Sequence, residues 1–204
     1  MGILYSTVPR GPARGVRIEC RGRINRSRHM SDKLPTPAVS PLNPVDAAHP
    51  GLSAPSAWLV RFAPLIAPGA RVLDYACGSG RHARWLAERG MQVDAVDRDR
   101  AALGRLQGVT GVRVRELDLE GDDWPLEGEC YEAVVVTNYL YRPRLDAMLA
   151  LLSPGGVLIY ETFMVGNERF GKPSNPDFLL RSHELFERVA AACTVLVIAV
   201  WRFI

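Results

Sequence analysis

The sequence predicts an α/β protein: a doubly wound, mostly parallel sheet with helices on both faces. Three observations carry this reading. From Ala70 onward, short apolar runs rich in β-branched residues alternate with amphipathic stretches of helical period. Glycines punctuate the changeovers, at Gly78 and Gly80, at Gly90, at Gly108 and at Pro154-Gly155-Gly156. Ala133-Val134-Val135-Val136-Thr137 is an unbroken apolar run, the pattern of a strand covered on both faces.

The domain begins near Ser53. After polar Ser53 and Ser56, the residues Trp58, Leu59, Phe62, Leu65 and Ile66 recur at helical spacing and read as a short amphipathic helix. Arg71 to Tyr75 is a strand, and a glycine-rich turn follows it. Arg81 to Arg89 is a helix with Ala83, Leu86 and Ala87 on one side, closed by Gly90. Met91 to Val96 is the second strand, ending at Asp97, and Arg100 to Gln107 is a helix stopped by Gly108. Val112 to Leu117 alternates as a third strand, and residues 133–137 form the fourth. Arg144 to Leu152 is helical and stops at Ser153-Pro154-Gly155-Gly156; Val157 to Thr162 is the fifth strand. Ser182 reads as the N-cap of a helix running to Ala192. Thr194 to Trp201 is a last strand, read as the first of a closing antiparallel pair whose partner, the final strand, is lacking. The whole is a Rossmann-like order of elements.

Composition sets the outer bounds. The chain has 204 residues, 48% of them apolar and 23% charged, enough for one domain with a substantial core and some extra sequence. No apolar run reaches the ~18 residues of a membrane-spanning helix, and Thr194 to Ile204 is interrupted by Arg202. Cys20, Cys77, Cys130 and Cys193 are scattered without a C-x-x-C pair. They point to no zinc site and no disulfide framework, and to reduced thiols in a cytoplasmic protein. The net charge of +3 is a property of the leader: residues 1–29 hold seven arginines against Glu19, a balance of +6 that leaves −3 for the rest. A nucleic-acid partner is therefore not indicated by the domain. Residues 1–52, with prolines at 9, 12, 35, 37, 41, 44 and 50 and little periodicity, read as a disordered basic, proline-rich leader to a domain over 53–204. Met30-Ser31-Asp32 reads as the true start.

The chemistry is concentrated in Asp74-Tyr75-Ala76-Cys77-Gly78-Ser79-Gly80. A strand, a glycine turn and a helix start let backbone approach a ligand closely, under free N–H groups and a positive dipole end. Gly78-x-Gly80-x-x-Ala83 also fits the dinucleotide fingerprint. Two details favour S-adenosyl-L-methionine over NAD. A carboxylate at Asp74 repels a pyrophosphate and attracts an ammonium and a sulfonium. The chain also leaves little room for a separate substrate domain. Asp97 closes the second strand and serves ribose hydroxyls in either case.

With Val72 to Gly80, Asp97, and Leu152-Ser153-Pro154-Gly155-Gly156 before the fifth strand, the sequence resembles the class I S-adenosylmethionine-dependent methyltransferases over roughly Ala70 to Ala192. Within them it is most similar to small-molecule enzymes of the tellurite-resistance and thiopurine-like type. The resemblance implies roles by position. Asp74 contacts the methionine amino group, and Gly78 and Gly80 line the methionine and ribose. Asp97 holds the ribose hydroxyls, Arg98 flanks the adenine, and Asp118 beside Leu119 accepts from the adenine amino group. Asn138 faces the methyl donor. The family often has glycine where this chain has Ala76, which is small enough to preserve binding.

The acceptor side is less defined. Asn138-Tyr139-Leu140-Tyr141-Arg142-Pro143 follows the fourth strand, where open α/β sheets bind ligands, so Asn138, Tyr139 or Arg142 positions the acceptor or packs the loop. Glu161, at the end of the fifth strand, is a candidate base, and Asn167 and Arg169 in the long loop after it are candidate lid residues. His82 is a structural histidine on this reading, and no metal-ligand or Ser/His/Asp constellation stands out. Methyl transfer needs proximity and orientation more than a nucleophile, so no catalytic motif is required. The expected function is methyl transfer to a small-molecule acceptor, without a membrane. The alternatives are an NAD(P)-dependent oxidoreductase and a truncated, non-catalytic cofactor-binding domain.

Overall fold

The computed structural model describes residues 54–189 and 195–201; the leader over 1–52 and the end of the last helix, beyond Val189, lie outside the described residues. The strands are β1 (Arg71–Tyr75), β2 (Gln92–Asp97), β3 (Val112–Glu116), β4 (Tyr131–Thr137), β5 (Leu152–Phe163) and β6 (Val195–Trp201). The helices are α1 (Ala57–Phe62), α2 (Arg81–Ala87), α3 (Arg100–Leu103), α4 (Leu145–Leu149) and α5 (Glu184–Val189). One sheet of six strands runs in the order β3-β2-β1-β4-β5-β6, parallel throughout. The order turns back between β1 and β4, which opens a crevice at their carboxyl ends.

Alternation along each strand divides the interior in two. Val72, Val93, Ala95, Val135 and Ile159 pack with α1, α2 and α3. Leu73, Val96, Val134, Val136 and Leu158 pack on the other face with Leu145 and Met148 of α4 and Leu185 of α5. Ala133, Val134, Val135 and Val136 are all 0% exposed, which is why this stretch of β4 is apolar at every position.

The expected strands recur in place, with three differences. The Ser153-Pro154-Gly155-Gly156 turn is an excursion within β5: Tyr131 pairs with Leu152 and Ala133 with Val157, so these four residues bulge opposite Glu132 alone. Gly156 has no room for a side chain there, since a Cβ would stand 2.9 Å from the Ser153 carbonyl oxygen. Ser182 does not cap α5. Glu184 reaches back to accept from the Arg181 amide at 2.9 Å, while Ser182 Oγ lies 2.9 Å from Nδ1 of His183, whose φ is +64°. β6 pairs in parallel with β5 from Val157↔Val195 to Phe163↔Trp201, where the first strand of an antiparallel pair was expected. Cys77 is free and buried, and Cys20 and Cys193 lie outside the described residues.

A polar cluster toward the amino ends of the strands has no counterpart in the sequence reading. Asp94, 5% exposed, accepts from Tyr131 Oη at 2.8 Å, Arg113 Nε at 2.8 Å and Arg71 Nη2 at 2.9 Å. Burial works to raise its pKa, yet the bonds from Arg113, Tyr131 and Arg71 outweigh it and hold the carboxyl below the usual carboxylate range.

Candidate functional site

The carboxyl ends of five strands surround a cavity of about 450 Å³. Ala76 after β1, Asp97 and Arg98 at β2, and Asp118, Leu119 and Glu120 after β3 form one side. Asn138, Tyr139 and Leu140 after β4, Thr162 and Phe163 of β5, and Pro173 and Phe178 of the following loop form the other.

The turn between β1 and α2 needs left-handed backbone at Ala76 (φ +54°), Gly78 (φ +55°) and Gly80 (φ +72°). The two glycines do different work. A Cβ on Gly78 would meet nothing within 4 Å, whereas one on Gly80 would stand 2.2 Å from Leu106 Cδ1, so Gly80 serves the packing of α2. The Gly78 amide donates to Asp97 Oδ2 at 2.7 Å, and the Asp99 amide to Asp97 Oδ1 at 2.9 Å. The Asp97 carboxylate is thereby aimed by backbone, with lone pairs left over.

Asp74 lies behind this turn, away from the cavity wall and fully buried. Its Oδ2 accepts from the Ala83 amide at 2.9 Å, while Oδ1 is buried and has no partner. Burial pushes its pKa up to about 7, against the opposing pull of the Ala83 amide and Arg81. An acceptor left orphaned in this way costs stability unless something donates to it.

Asn138 has a left-handed φ of +55°, uncommon for a side chain other than glycine, and its amide donates to the Glu161 carbonyl at 2.8 Å. Tyr139 donates through Oη to Glu120 Oε1 at 3.2 Å, and its carbonyl accepts from Tyr160 Oη at 2.7 Å. Its ring stands edge-on to Tyr75 at 5.5 Å. Asp118 Oδ1 accepts from the Glu120 amide at 2.9 Å, which shapes the turn carrying Leu119. Arg98 faces Glu120 at 3.4 Å but is 68% exposed, a pairing of little energetic weight.

Glu161 is buried but is not part of the cavity wall. Its carboxylate accepts from Ser56 Oγ. The Ser56 amide donates to His82 Nε2 at 3.2 Å, so Nδ1 carries the ring proton and donates to Thr137 Oγ1 at 3.2 Å. Burial, with a smaller contribution from Arg81, pushes the His82 pKa down to about 3, so the ring is neutral. The structure thus makes His82, Glu161, Ser56 and Thr137 one buried network behind Asn138. Sequence reasoning missed it because its members belong to four separate segments.

Arg142 is committed to the loop after β5. It holds Glu184 through Nε at 2.6 Å and Nη2 at 2.9 Å, and the carbonyls of Asp177 at 2.7 Å and Leu179 at 2.8 Å. Burial works to raise the Glu184 pKa, but the bond from Arg142 outweighs it and the carboxyl is held low. The loop closes on itself where the Val165 amide donates to the Leu180 carbonyl and the Leu180 amide to the Phe163 carbonyl. Asn167 is 0% exposed and donates to the Pro173 carbonyl inside the loop, whereas Arg169 is exposed.

This residue set fits a cationic nucleoside better than a dinucleotide. The wall carries Asp97, Asp118 and Glu120 against the single cation Arg98, a balance that repels a pyrophosphate, and Asp74 keeps an orphaned oxygen for a donor. No group of three or more metal-binding side chains occurs among the described residues. Fold and site together define a doubly wound α/β domain whose switch-point cavity carries groups suited to a cationic nucleoside. Residues 72–156 match the family model of the methyltransferase domain. The chain is 30% identical over 148 residues to a demethylmenaquinone methyltransferase of Clavibacter sepedonicus, covering 68% of this chain and 57% of that protein. It is 34% identical over 117 residues to a tRNA U34 carboxymethyltransferase of Hahella chejuensis, covering 52% of this chain and 36% of that protein. The chain therefore spans only about half or less of the length of these curated relatives. Among solved structures, an Archaeoglobus fulgidus SAM-dependent methyltransferase superposes with TM-score 0.55 at 18% identity, over 66% of this chain and 65% of that one. TehB from Haemophilus influenzae superposes with TM-score 0.51 at 21% identity, over 65% and 49%. Residues 72–156 thus carry the pattern of a methyltransferase domain, and the solved neighbours share its fold.

Proposed function

We propose that this protein transfers the methyl group of S-adenosylmethionine to a small-molecule acceptor bound between Asn138 and the loop after β5. The observation that carries the reading is convergence: Ala76, Asp97, Arg98, Asp118, Leu119 and Asn138, scattered over more than sixty residues, line one cavity. In this reading Asp97 accepts from the ribose hydroxyls with the lone pairs its two amide donors leave free. Asp118, Leu119 and Arg98 flank the adenine, and Gly78 leaves the backbone open beside the ribose. Asp74 answers the ammonium group from behind the turn, directly or through water, with its unpartnered Oδ1.

When bound, the cofactor supplies a sulfonium-activated methyl: the acceptor's lone pair forms the new bond to carbon, the sulfur–carbon pair returns to sulfur as a thioether, and any acceptor proton passes to solvent. The protein's part is orientation and water exclusion. Ala76 and Asn138, both held at positive φ, face the cavity from the ends of β1 and β4, on either side of the switch point. Glu161 is withdrawn to Ser56, so it supports α1 and is not our candidate base. Tyr139 borders the acceptor, its hydroxyl engaged by Glu120 and its pKa raised chiefly by burial.

Calorimetric titration of the full chain with S-adenosylmethionine, S-adenosylhomocysteine and NAD tests the cofactor, and release of S-adenosylhomocysteine across a metabolite panel tests the reaction. Binding of the two sulfur ligands but not NAD is expected. Binding of NAD alone would overturn the reading and restore the oxidoreductase alternative.

A further inference from the structure

The cavity is chemically divided along the sheet order. Its charged lining groups, Asp97, Arg98, Asp118 and Glu120, all come from the β2 and β3 side. On the β4 and β5 side the wall is Leu140, Phe163, Pro173 and Phe178, with Thr162 and the residues Asn138 and Tyr139 at the boundary. None of these carries a charge near neutral pH. An anion buried there would lose its water with no cation to replace it.

The guanidinium that grips this loop is already engaged. Arg142 spends its donors on Glu184 and on the carbonyls of Asp177 and Leu179, the two residues flanking Phe178. The grip fixes the backbone on both sides of a phenylalanine that lines the cavity and is nonetheless 52% exposed. Among the described residues, the exposed large hydrophobics are Val165, Phe170 and Phe178, and all three lie on this one loop.

We infer that the β4 and β5 half of the cavity is an acceptor subsite for an uncharged, apolar, ring-containing small molecule, with Phe178 its specificity-determining residue. The inference rests on the methyltransferase reading above. Phe178 supplies apolar surface that the acceptor covers, and Arg142 is a positioning residue that holds Phe178 over it. A polynucleotide acceptor finds no cation among the residues that line this side of the cavity.

The test uses the full chain saturated with S-adenosylhomocysteine, titrated calorimetrically with 1-naphthol, 2-naphthol and 1-naphthyl phosphate, and with a short tRNA-loop oligonucleotide. At least one naphthol is expected to bind about tenfold or more tightly than the naphthyl phosphate, because both bury the same ring and only the phosphate must give up its hydration with no cation in the wall to replace it. Phe178→Ala should weaken naphthol binding by about tenfold and Phe178→Leu by much less, with S-adenosylhomocysteine affinity unchanged. Failure of both naphthols, a preference for the phosphate or the oligonucleotide, or an indifferent Phe178→Ala variant would overturn the subsite. Failure of S-adenosylhomocysteine to bind at all would instead overturn the cofactor reading on which it rests.

Discussion

Asp97 accepts a 2.7 Å hydrogen bond from the Gly78 amide and so ties the end of β2 to the turn that follows β1. The carboxylate is aimed by two backbone donors, Gly78 and Asp99, with no reorganisation left for a ligand to impose. Its exchange for Ala removes both the anchor of the turn and the acceptor assigned to the ribose. Two hydrogen bonds to a charged group are worth about 1.5–3 kcal/mol each. Asp97→Ala should therefore weaken S-adenosylhomocysteine by at least about tenfold to a hundredfold in calorimetry. An unchanged affinity would place the ribose elsewhere.

Gly80 and Leu106 constrain each other. A methyl group at Gly80 falls 2.2 Å from Leu106 Cδ1 and the backbone there has φ +72°. Gly80→Ala should cost about 2–4 kcal/mol through overlap and left-handed strain together. Adding Leu106→Ala removes the overlap but not the strain. The double variant should then be clearly more stable in chemical denaturation than the sum of the single losses. Strict additivity would mean that Gly80 is required for its backbone angle alone.

These two relationships differ in how far the sequence revealed them. Asp97 was legible as the acid that closes the second strand, but its bond to the Gly78 amide, nineteen residues away, was not. Also legible were β1 to β4, whose apolar runs are set by the parallel sheet. Gly80 was legible as a glycine but not as a packing constraint, since Leu106 is distant in the chain. The Ser153 to Gly156 turn was correctly read as a break. Its absorption into β5 depends on pairing with β4, which periodicity does not encode. Ser182 misled because its residue type suits a cap, while its hydroxyl meets the His183 ring and Glu184 reaches back to the Arg181 amide ahead of the helix. Glu161 stood where a base belongs by position along the strand, but strand alternation points it at Ser56 on the α1 face.

His82 gives the folded protein a specific acid sensitivity. Its folded pKa of about 3 lies below the ordinary 6.5, so the folded state binds fewer protons than the unfolded state between these values. Its contribution to stability is fully present above pH 6.5 and is lost as pH falls through that window. The loss is about 1 kcal/mol over the first pH unit below 6.5 and approaches about 1.4 kcal/mol per unit below that. Asp74 acts in the opposite sense: its raised pKa favours the protonated folded state, so its stability contribution declines as pH rises from about 4 towards 7. The comparison that isolates His82 is wild type against His82→Gln, both of which keep Asp74. The melting temperature of the wild type should fall more steeply between about pH 7.5 and about pH 5.5. Parallel curves would show that His82 is protonated in the folded state.

Arg142 ties three segments together: the strand end carrying Asn138, the loop carrying Phe178, and Glu184 at the start of α5. Lysine preserves the charge but cannot reproduce a fork that bonds Glu184 twice while also reaching the carbonyls of Asp177 and Leu179. In Arg142→Lys at least one of these partners loses its donor, at a cost of about 1–3 kcal/mol. The loss should be localised, because the loop is closed to the body of the domain mainly through Leu180 and Arg142. Limited proteolysis between Val165 and Leu179 should accelerate well before the global melting transition moves by a comparable amount. S-adenosylhomocysteine affinity should stay within about twofold, since the cofactor side of the cavity takes nothing from Arg142. A variant whose loop is as protected as the wild type's would show that Arg142 is not what holds Phe178 in place.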